Sequence, residues 1–535
     1  MEKKTEKANP KSIISSEEEK KEISPLTNRT NPEKSLSADP DEKLQTTKMP
    51  KLSINTSQAR GEIKLLKHII AKNGWKEVNG TKGDVIWSGI PTYEDFTLAN
   101  EIFINRVPGM RYMAQKKVSG QFLNLFRSYF PTQFDFFPRT FLLPEDHSAL
   151  EAEFQKDNKK LFIAKPTDGS QGEGIYLMRS MKDLPAVKFG ASRGYIVQEY
   201  IDKPLIIDNK KFDLRVYVLI SSVKPLIAFI NKEGLARFCT EDYEAPNSQN
   251  IREAYRHLTN YSLNKISDKY VYTEEIQEIN DGSKRTFCSL WKSIEKAGYS
   301  KDIIWDNIKD LVRKLLIGFT PFIHYEYNAS FGGKGTAKCF HLLGVDVLID
   351  ENLKPWLLEI NNTPSLCIEH DLEVGKVGPV SPVDLYVKTF AVEDSILLSR
   401  KKKETQLKLE EYRSYEKVYN GNEAKIAGMQ VIEKILDVYA KLCGYKFAER
   451  LSSSRFIKLA TVPVIRDAQI QKQDLDILFA KMIANTGSKQ MDFLSFITAI
   501  ELLVQKVSNP SATAKSEKWF DLFAAFVDTV QASFK

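Results

Sequence analysis

Cysteine is scarce in this sequence, and long hydrophobic runs are missing. The five cysteines are scattered along the 535 residues, odd in number and never spaced as CxxC. This pattern argues against a zinc site or a disulfide framework and indicates a reducing compartment. No apolar run reaches the ~18 residues of a membrane span, and the charged N-terminus has no signal-peptide core. We therefore expect a soluble intracellular protein that does not associate with membranes.

Aromatic residues are missing from residues 1–50, which carry ten acidic and ten basic side chains. Such a segment buries too little apolar surface to order itself, so we predict a disordered tail. The whole chain is too long for one domain and predicts roughly three or four units. Its hydrophobic content of 42% suffices for their cores, and its net charge of +7 suits an acidic partner. We expect no nucleic-acid partner.

The stretch 341–366 predicts a β-hairpin, because two strand-like runs enclose a turn sequence. Folding the hairpin about Asn352 brings Asp346 opposite Glu359 and places Asn361 on the same face as Glu359. Two carboxylates in an otherwise apolar sheet would repel each other and lose hydration. A Mg²⁺ ion would resolve both problems with ligands of this kind. A polar hairpin face turned to water is the alternative.

A short apolar run at 161–166 predicts a buried strand whose end carries Lys165, and a lysine there needs an anionic partner. The loop 167–175 that follows has three glycines, whose backbone N–H groups can approach phosphate oxygens. This loop is neither a P-loop nor a GxGxxG motif, and a glycine-rich hairpin is the alternative. Lysine and loop together indicate a nucleotide site.

Charged residues also follow the period of a strand. Period two places Lys211, Asp213 and Arg215 on one face of a β-rich run. A charged face of this kind is often the solvent side of a sheet. Arg237 and the run 256–261 add further cations and polar groups, so that the set is consistent with a phosphate site.

The segments KFDLR, GLARF, HLTNYS and LLEINNTPSL, in this order and spacing, resemble the tubulin tyrosine ligase-like family over about residues 51–399. The resemblance implies an ATP-grasp ligase fold of mixed α/β (α+β) class. The implied small N-terminal α/β domain covers 51–145, and the central and C-terminal domains cover 146–399. The resemblance also implies ATP-dependent addition of an amino acid to a carboxylate of tubulin, through an acylphosphate intermediate.

The same resemblance assigns the nucleotide site residue by residue. Two lysines would contact the phosphates, a glycine-rich loop would close over them, and a hinge segment would hold adenine. The implied ATP-contacting residues are Lys116, Lys165, Ser170, Gln171, Gly172, Gly174, Ile175, Gln198, Glu199, Tyr200, Ile201, Lys211 and Asp213.

The resemblance further implies the catalytic residues and the metal ligands. The catalytic residues are Lys211, Arg215 and Arg237, and the Mg²⁺ ligands are Asp346, Glu359 and Asn361. A carboxylate becomes electrophilic only after it takes the γ-phosphoryl group, and Mg²⁺ with the arginines neutralises charge on that group. The amine of the incoming amino acid then attacks. The implied role of the protein is to position reactants and screen charge.

The transferred amino acid is expected to be glutamate. The segments 234–238 and 257–265 look more like the glutamylating than the glycylating branch of the family. Glutamate needs a cation for its side-chain carboxylate, which Lys211, Arg215 or Lys265 would supply. We expect polyglutamylation of the acidic tails of tubulin, with glycine as the alternative. A microtubule-associated binding protein with an inactive core is the alternative of another class, and the presence of the implied lysine and metal ligands disfavours it.

Two regions depart from the family pattern or lie beyond it. An insertion at 367–383 precedes the next family lysine, which we place at Lys388. Residues 400–417 predict a basic helical linker that is either a solvated surface or a patch that touches the acidic microtubule surface. The basic residues at 111–117 likewise fit a solvated face or a groove for an acidic peptide.

Residues 418–535 predict a separate helical module, because apolar stripes recur there at helical spacing. Part of this module resembles the tubulin polymerisation-promoting protein family, which has an EF-hand-like helix pair. Asn485, Gly487 and Asp492 do not supply the alternating acids of a calcium loop, so we expect no calcium. We expect a monomer in the cytoplasm and on the cytoskeleton, with the cilium or basal body as a further location.

Overall fold

The computed structural model describes residues 50–89, 93–168, 172–184, 194–276, 282–332, 337–371, 377–421, 426, 428–444, 450–484, 488–508 and 517–534. The disordered tail predicted at 1–50 lies outside these residues except for its last position. Residues Lys51–Lys535 form one unit through their mutual contacts.

The strands are short near the N-terminus and longest in the middle of the chain. They are β1 Ser53–Asn55, β2 Lys76–Val78, β3 Val85–Ile86, β4 Phe103–Ile104, β5 Thr140–Leu143, β6 Phe162–Pro166, β7 Tyr176–Met178, β8 Tyr195–Glu199, β9 Ile206–Ile207, β10 Lys210–Ser222, β11 Ile227–Phe238, β12 Lys284–Thr286, β13 His341–Ile349, β14 Pro355–Asn361, β15 Glu369–Asp371, β16 Val377–Val380, β17 Glu411–Tyr412 and β18 Tyr415–Tyr419.

The helices become more frequent toward the C-terminus. They are α1 Ile63–Asn73, α2 Tyr93–Leu98, α3 Met110–Met113, α4 Lys116–Tyr129, α5 His147–Lys156, α6 Ala254–His257, α7 Tyr261–Asn264, α8 Phe287–Lys296, α9 Lys301–Phe331, α10 Pro382–Ser399, α11 Lys403–Lys408, α12 Met429–Cys443, α13 Ser453–Phe456, α14 Pro463–Asp467, α15 Lys472–Ile483, α16 Phe493–Ser508 and α17 Glu517–Ser533.

The longest strands form an eight-stranded sheet with the order β14-β13-β10-β11-β18-β17, in which β12 pairs with β11 and β9 with β10. Alternate residues of β10 enter two different cores. Val216 and Val218 pack in the core that contains α9, whereas Tyr217 and Leu219 pack in the core that contains α1 and α10. Because both faces of this sheet are covered, a charged side chain on it must find a partner.

Three smaller sheets complete the strand arrangement. The strands β2-β1-β3-β4 form a parallel sheet, and β5-β8-β6-β7 form an antiparallel one. The remaining strands, β15 and β16, pair with each other. The predicted mixed α/β class is confirmed. Across the parts of the chain that the structure describes, no helix has the length and apolar character needed to span a membrane.

The predicted hairpin of β13 and β14 is confirmed, and Asp346 pairs with Glu359 in the register. A bulge shifts the register by one residue on the turn side of this pair. The Asp350 carboxylate accepts hydrogen bonds from the backbone N–H groups of Asn352 and Lys354 at 2.8 and 3.0 Å. These bonds hold the turn and therefore the register that sets the two carboxylates opposite each other.

The helical linker predicted at 400–417 is wrong for its second half. Only Lys403–Lys408 are helical, and β17 and β18 form a hairpin whose second strand joins β11 in the central sheet. Tyr415 is fully buried, and Glu416 accepts hydrogen bonds from two side chains of α9. The aromatic side chain fills the core and the charged residue is paired, so tertiary packing outweighs the local helical pattern.

The separate module predicted at 418–535 is also wrong, because its helices share one core with α4 and α9. Tyr129 at the end of α4 stacks on Trp519 with 6.1 Å between ring centroids. Phe322 of α9 meets Phe493 at 4.9 Å. The apolar stripes of the sequence predict these helices, but they do not reveal which surface the helices cover.

The resemblance of this region to the tubulin polymerisation-promoting protein family stays a prediction, and so does the EF-hand-like helix pair. Asp492 accepts a hydrogen bond from the N–H of Ser495 at 2.8 Å and thereby caps the start of α16. Asn485 and Gly487 lie outside the described residues.

A point substitution tests whether the C-terminal helices share the core. Phe523→Ala should lower the free energy of unfolding by about 3 kcal/mol or more, because this fully buried ring packs against Tyr129 of α4. Leu522→Ala is the matched control, since Leu522 is 37% exposed on the same helix and should cost well under about 1 kcal/mol. Chemical denaturation followed by tryptophan fluorescence measures both. Two separate unfolding transitions, of which Phe523→Ala shifts only one, would contradict the shared core.

Candidate functional site

A row of charged side chains crosses the central sheet on one face. Asp213 of β10 lies opposite Arg237 of β11, and Arg215 lies opposite Asp346 of β13. Asp346 in turn lies opposite Glu359 of β14. Period two brings the charged residues of each strand to the same face, and the register sets them side by side. Lys211, Asp213 and Asp346 are buried, and the side chains of Arg215 and Arg237 are only 11% and 12% exposed. The charged face of β10 is therefore not the solvent side of the sheet.

Two arginines hold Asp346 from two neighbouring strands. Arg215 donates to its carboxylate from Nε at 2.5 Å and from Nη2 at 3.1 Å. Arg237 donates from Nη2 to Asp346 at 2.7 Å and makes two bonds to Asp213, at 2.6 and 2.7 Å. Burial opposes ionisation of Asp346, but the two guanidinium groups outweigh it and hold the pKa of this carboxyl below its usual range. Asp346 is therefore ionised and held at both carboxylate oxygens. Burial raises the pKa of Asp213, although Arg237 opposes that shift.

Lys165 of β6 approaches this row from the second sheet. Its Nζ donates to Oε1 of Gln198 at 2.9 Å, and Gln198 is fixed by a bond from Nε2 to Thr140 at 3.0 Å. Burial lowers the pKa of Lys165 to about 8. The carboxylates of Glu359 and Asp346 act in the opposite direction from farther away.

Lys211 of β10 is a second buried ammonium group. Its Nζ donates to the hydroxyl of Tyr200 at 2.8 Å and to the carbonyl of His257 at 2.9 Å. Burial lowers the pKa of Lys211 to about 8 as well. Neutral oxygens thus accept the hydrogen bonds of both lysines, so their positive charge is available to an anionic ligand.

Glu359 and Asn361 lie at the open end of the row. The amide of Asn361 donates to Oε1 of Glu359 at 3.2 Å, and Lys116 of α4 reaches within 3.8 Å of Oε2. These oxygen donors, with Asp346, are of the kind that a hard divalent cation takes. No group of three or more His, Cys, Asp and Glu side chains suited to a metal ion occurs within the described residues, so the predicted set depends on two carboxylates and an amide.

One cleft brings most of the predicted site residues together. The predicted residues that line it are Lys165, Ile175, Gln198, Glu199, Tyr200, Ile201, Lys211, Asp213, Arg237, Asp346 and Glu359. Arg215 is not among these lining residues but donates a hydrogen bond to Asp346. Asn361 and Lys116 each contact the lining residue Glu359.

The glycine-rich loop is described only in part. Gly172 and Gly174 have φ of 86° and 69°, a left-handed conformation that favours glycine. A Cβ at Gly172 would meet the side chain of Asn260 at 3.3 Å, so the loop lies against the cleft wall. Ser170 and Gln171 lie outside the described residues.

Several cleft residues were not predicted as site residues. Thr259 donates from Oγ1 to Asp213 at 2.5 Å and so helps to orient the aspartate. Its place in the HLTNYS segment was a signal that could have revealed it. Ile163, Leu348 and Leu358 form apolar parts of the wall, and nothing distinguishes them in sequence from ordinary core residues.

Comparison with known proteins shows which family this chain is similar to. The model of the tubulin-tyrosine ligase family matches residues 97–374. Tubulin polyglutamylase TTLL11 of Mus musculus is 37% identical over 372 residues, which are 66% of this chain and 50% of that protein. Tubulin polyglutamylase ttll6 of Danio rerio is 40% identical over 271 residues, which are 50% of this chain and 34% of that protein.

A third relative is named as a probable beta-tubulin polyglutamylase of Tetrahymena thermophila. It is 36% identical over 298 residues, which are 55% of this chain and 24% of that protein. The chain thus spans half or less of the length of these curated relatives. The family match covers just over half of the chain and includes the whole charged row from Lys116 to Asn361. The chain belongs to the tubulin-tyrosine ligase family.

Proposed function

We propose that this chain is an ATP-dependent ligase that adds glutamate to glutamates in the acidic tails of tubulin. The observation that carries the proposal is the buried pair Lys165 and Lys211 beside the row of Asp213, Arg237 and Asp346. This arrangement provides fixed positive charge for a polyphosphate and arginines for a transferring phosphoryl group. The polyglutamylase names of the relatives support glutamate as the transferred amino acid.

The charge of the cleft supports ATP as the nucleotide. Five cations and three carboxylates meet here, namely Lys116, Lys165, Lys211, Arg215 and Arg237 against Asp213, Asp346 and Glu359. The excess of positive charge suits a triphosphate that arrives with its metal ion. The position of the cleft between the sheet that carries Lys165 and the sheet that carries Lys211 supports an ATP-grasp ligase fold.

Mg²⁺ would be held by Asp346, Glu359 and Asn361. When bound, it would screen charge on the phosphates and act as a Lewis acid on the transferring group. The amide of Asn361 already fixes Glu359, and the arginines fix Asp346, so both carboxylates are oriented before any ligand arrives. This orientation is what a metal site of these residues requires.

The reaction steps follow from the fixed cations. Lys165 and Lys211 would hold the phosphates, and Arg237 would stabilise the γ-phosphoryl group as it moves to the acceptor carboxylate. ADP leaves, and the amine of glutamate attacks the resulting acylphosphate. An amide bond forms, phosphate leaves, and the amine proton is lost to solvent. Because Arg215 and Arg237 are already held in position, the site needs little reorganisation during these steps.

Two alternatives have their own distinguishing features. A glycine ligase would share the whole nucleotide site and would differ only where the amino acid binds. A microtubule-binding protein with an inactive core would not need Lys165 and Asp346 to stay assembled in a buried network, which costs free energy to form. The intact network therefore favours the enzyme.

With tubulin as the substrate, we further propose a cytoplasmic, cytoskeletal location, including the cilium or basal body.

Glu359→Gln tests the metal carboxylate. The substitution should reduce ATP-dependent ligation onto microtubules at least ~100-fold, because it removes a negative metal ligand without changing side-chain volume. The melting temperature should stay close to that of the wild type. Glu351→Gln, at an exposed position in the turn of the same hairpin, is the matched control and should retain activity. Retained ligation in Glu359→Gln at saturating Mg²⁺ would remove the metal assignment.

The lowered pKa of the two lysines gives a pH dependence. Lys165 and Lys211, with pKa values of about 8, are charged below pH 8 and lose their protons above it. The affinity of the free enzyme for ATP should therefore fall as the pH rises through 8. Equilibrium nucleotide binding between pH 7 and pH 9.5 measures this. Lys165→Arg should weaken the pH dependence, because arginine keeps its charge, and an affinity that stays constant to pH 9.5 would contradict both assignments.

The transferred amino acid is tested directly. Purified protein, ATP and microtubules are incubated with labelled glutamate, glycine or tyrosine in separate reactions. Incorporation of glutamate alone is expected, since the relatives bear polyglutamylase names. Glycine incorporation without glutamate would establish the glycine alternative and leave the ligase assignment intact.

A further inference from the structure

A second buried cluster of charges lies at the edge of the charged row. Lys284 of β12 donates to Oδ2 of Asp384 at 2.7 Å, and Lys388 lies 2.8 Å from Oδ1 of the same carboxylate. All three side chains are buried, with exposed fractions of 11% for Lys284, 2% for Asp384 and 6% for Lys388. Two ammonium groups thus share one carboxylate, which leaves one positive charge without a counterion within the cluster.

The cluster continues the row of the ATP cleft. Lys284 is directly opposite Arg237 in the pairing of β12 with β11. Opposite residues in antiparallel strands lie roughly 5 Å apart at Cβ, so the ammonium group of Lys284 follows Arg237 along the same face. Lys211 and Asp213 lie on β10, which pairs with β11 on the side of Arg237 opposite to β12. Lys165 lines the same cleft as Lys211 and Arg237 but comes from the second sheet. A molecule held by the cluster would therefore lie next to the phosphoryl group, on the side away from adenine.

The surroundings of the cluster contain unpaired polar atoms. The hydroxyl of Tyr217 and Nδ1 of His370 have no hydrogen-bond partner among the described residues, although the two side chains are only 0% and 8% exposed. Burial lowers the pKa of His370, and nearby Lys284 lowers it further, so that the imidazole is neutral near pH 7. A polar ligand would satisfy such atoms.

The cations earlier considered for the glutamate side chain have other roles. Lys211 is held by Tyr200 and His257, and Arg215 is engaged by Asp346. Lys265 lies 5.8 Å from the ring of Tyr261, whereas Lys284 lies 3.8 Å from the same ring. Lys284 is thus the buried partner of that ring and the one aligned with Arg237.

We propose that Lys284 and Lys388 bind a carboxylate of the incoming amino acid, with Asp384 holding the two ammonium groups in place. This inference rests on the proposed ligase function. A carboxylate bound between the two lysines neutralises the excess charge of the cluster and sets the amine of the amino acid beside Arg237, where the acylphosphate forms. Lys388 lies in the helix that follows the 367–383 insertion, and its Nζ also donates to the carbonyl of Cys367 at 2.5 Å. The insertion is thereby tied to the amino-acid site.

The test compares Lys284→Met and Lys388→Met with wild type in the microtubule ligation assay. Each substitution should raise the KM for glutamate about tenfold or more, since a charge-assisted bond to the substrate is lost, and should leave the KM for ATP within about twofold. Lys296→Met is the matched control, because it removes one charge from an exposed position on α8 and should change neither constant. Lys284→Arg should keep most of the affinity for glutamate that Lys284→Met loses.

Competition by glutamine separates the two carboxylates of glutamate. If the lysines bind the side-chain carboxylate, the inhibition constant of glutamine will be unchanged in Lys284→Met. If they bind the α-carboxylate, that constant will rise in parallel with the glutamate KM. Either result supports a carboxylate site at the two lysines.

An unchanged glutamate KM in both methionine variants overturns the inference, while wild-type incorporation of glutamate keeps the proposed function. Wild-type protein that transfers no amino acid overturns the proposed function itself. Lys284→Gln, with a polar tip of similar length, replaces the methionine variant if its melting temperature shows that it does not fold.

Discussion

The clamp of two arginines on Asp346 is the interaction on which the site depends. A buried carboxylate without a cation would cost several kcal/mol, and two buried guanidinium groups without an anion would cost as much. Arg215 and Arg237 come from adjacent strands, and Asp346 comes from a third. The pairing therefore specifies the register of β10, β11 and β13 together. If one of these strands slipped by one residue, its charged side chains would turn to the opposite, apolar face of the sheet.

The charged row was predictable because its geometry is local to each strand. Alternation along β10 separated charged from apolar residues, and the turn after β13 was short enough to count across from Asp346 to Glu359. Two features, strand period and turn length, were sufficient for the central part of the site. The pairing of Asp213 with Arg237 depends on the longer β10–β11 register, for which the resemblance rather than the pattern supplied the association.

Other parts depend on partners that no periodicity connects. Lys284 and Asp384 are one hundred residues apart along the chain, and only the packing of α10 against β12 joins them. The charge pattern around β18 is typical of a helix, yet the segment forms a strand whose tyrosines, Tyr415 and Tyr419, pack in the two cores. The surface that the C-terminal helices cover could not be predicted for the same reason. An apolar stripe identifies the buried face of a helix but not the element that packs against it.

Helix α4 connects the C-terminal helices to the candidate site. It begins with Lys116, which approaches Glu359, and ends with Tyr129, which packs against Trp519 of α17. Its 14 residues form a rigid rod about 21 Å long. Helix α17 thus packs against the C-terminal end of α4, whereas the N-terminal end of α4 carries Lys116 beside the proposed nucleotide cleft. Loss of activity on C-terminal truncation would accordingly report the position of Lys116 as much as any contact with a partner.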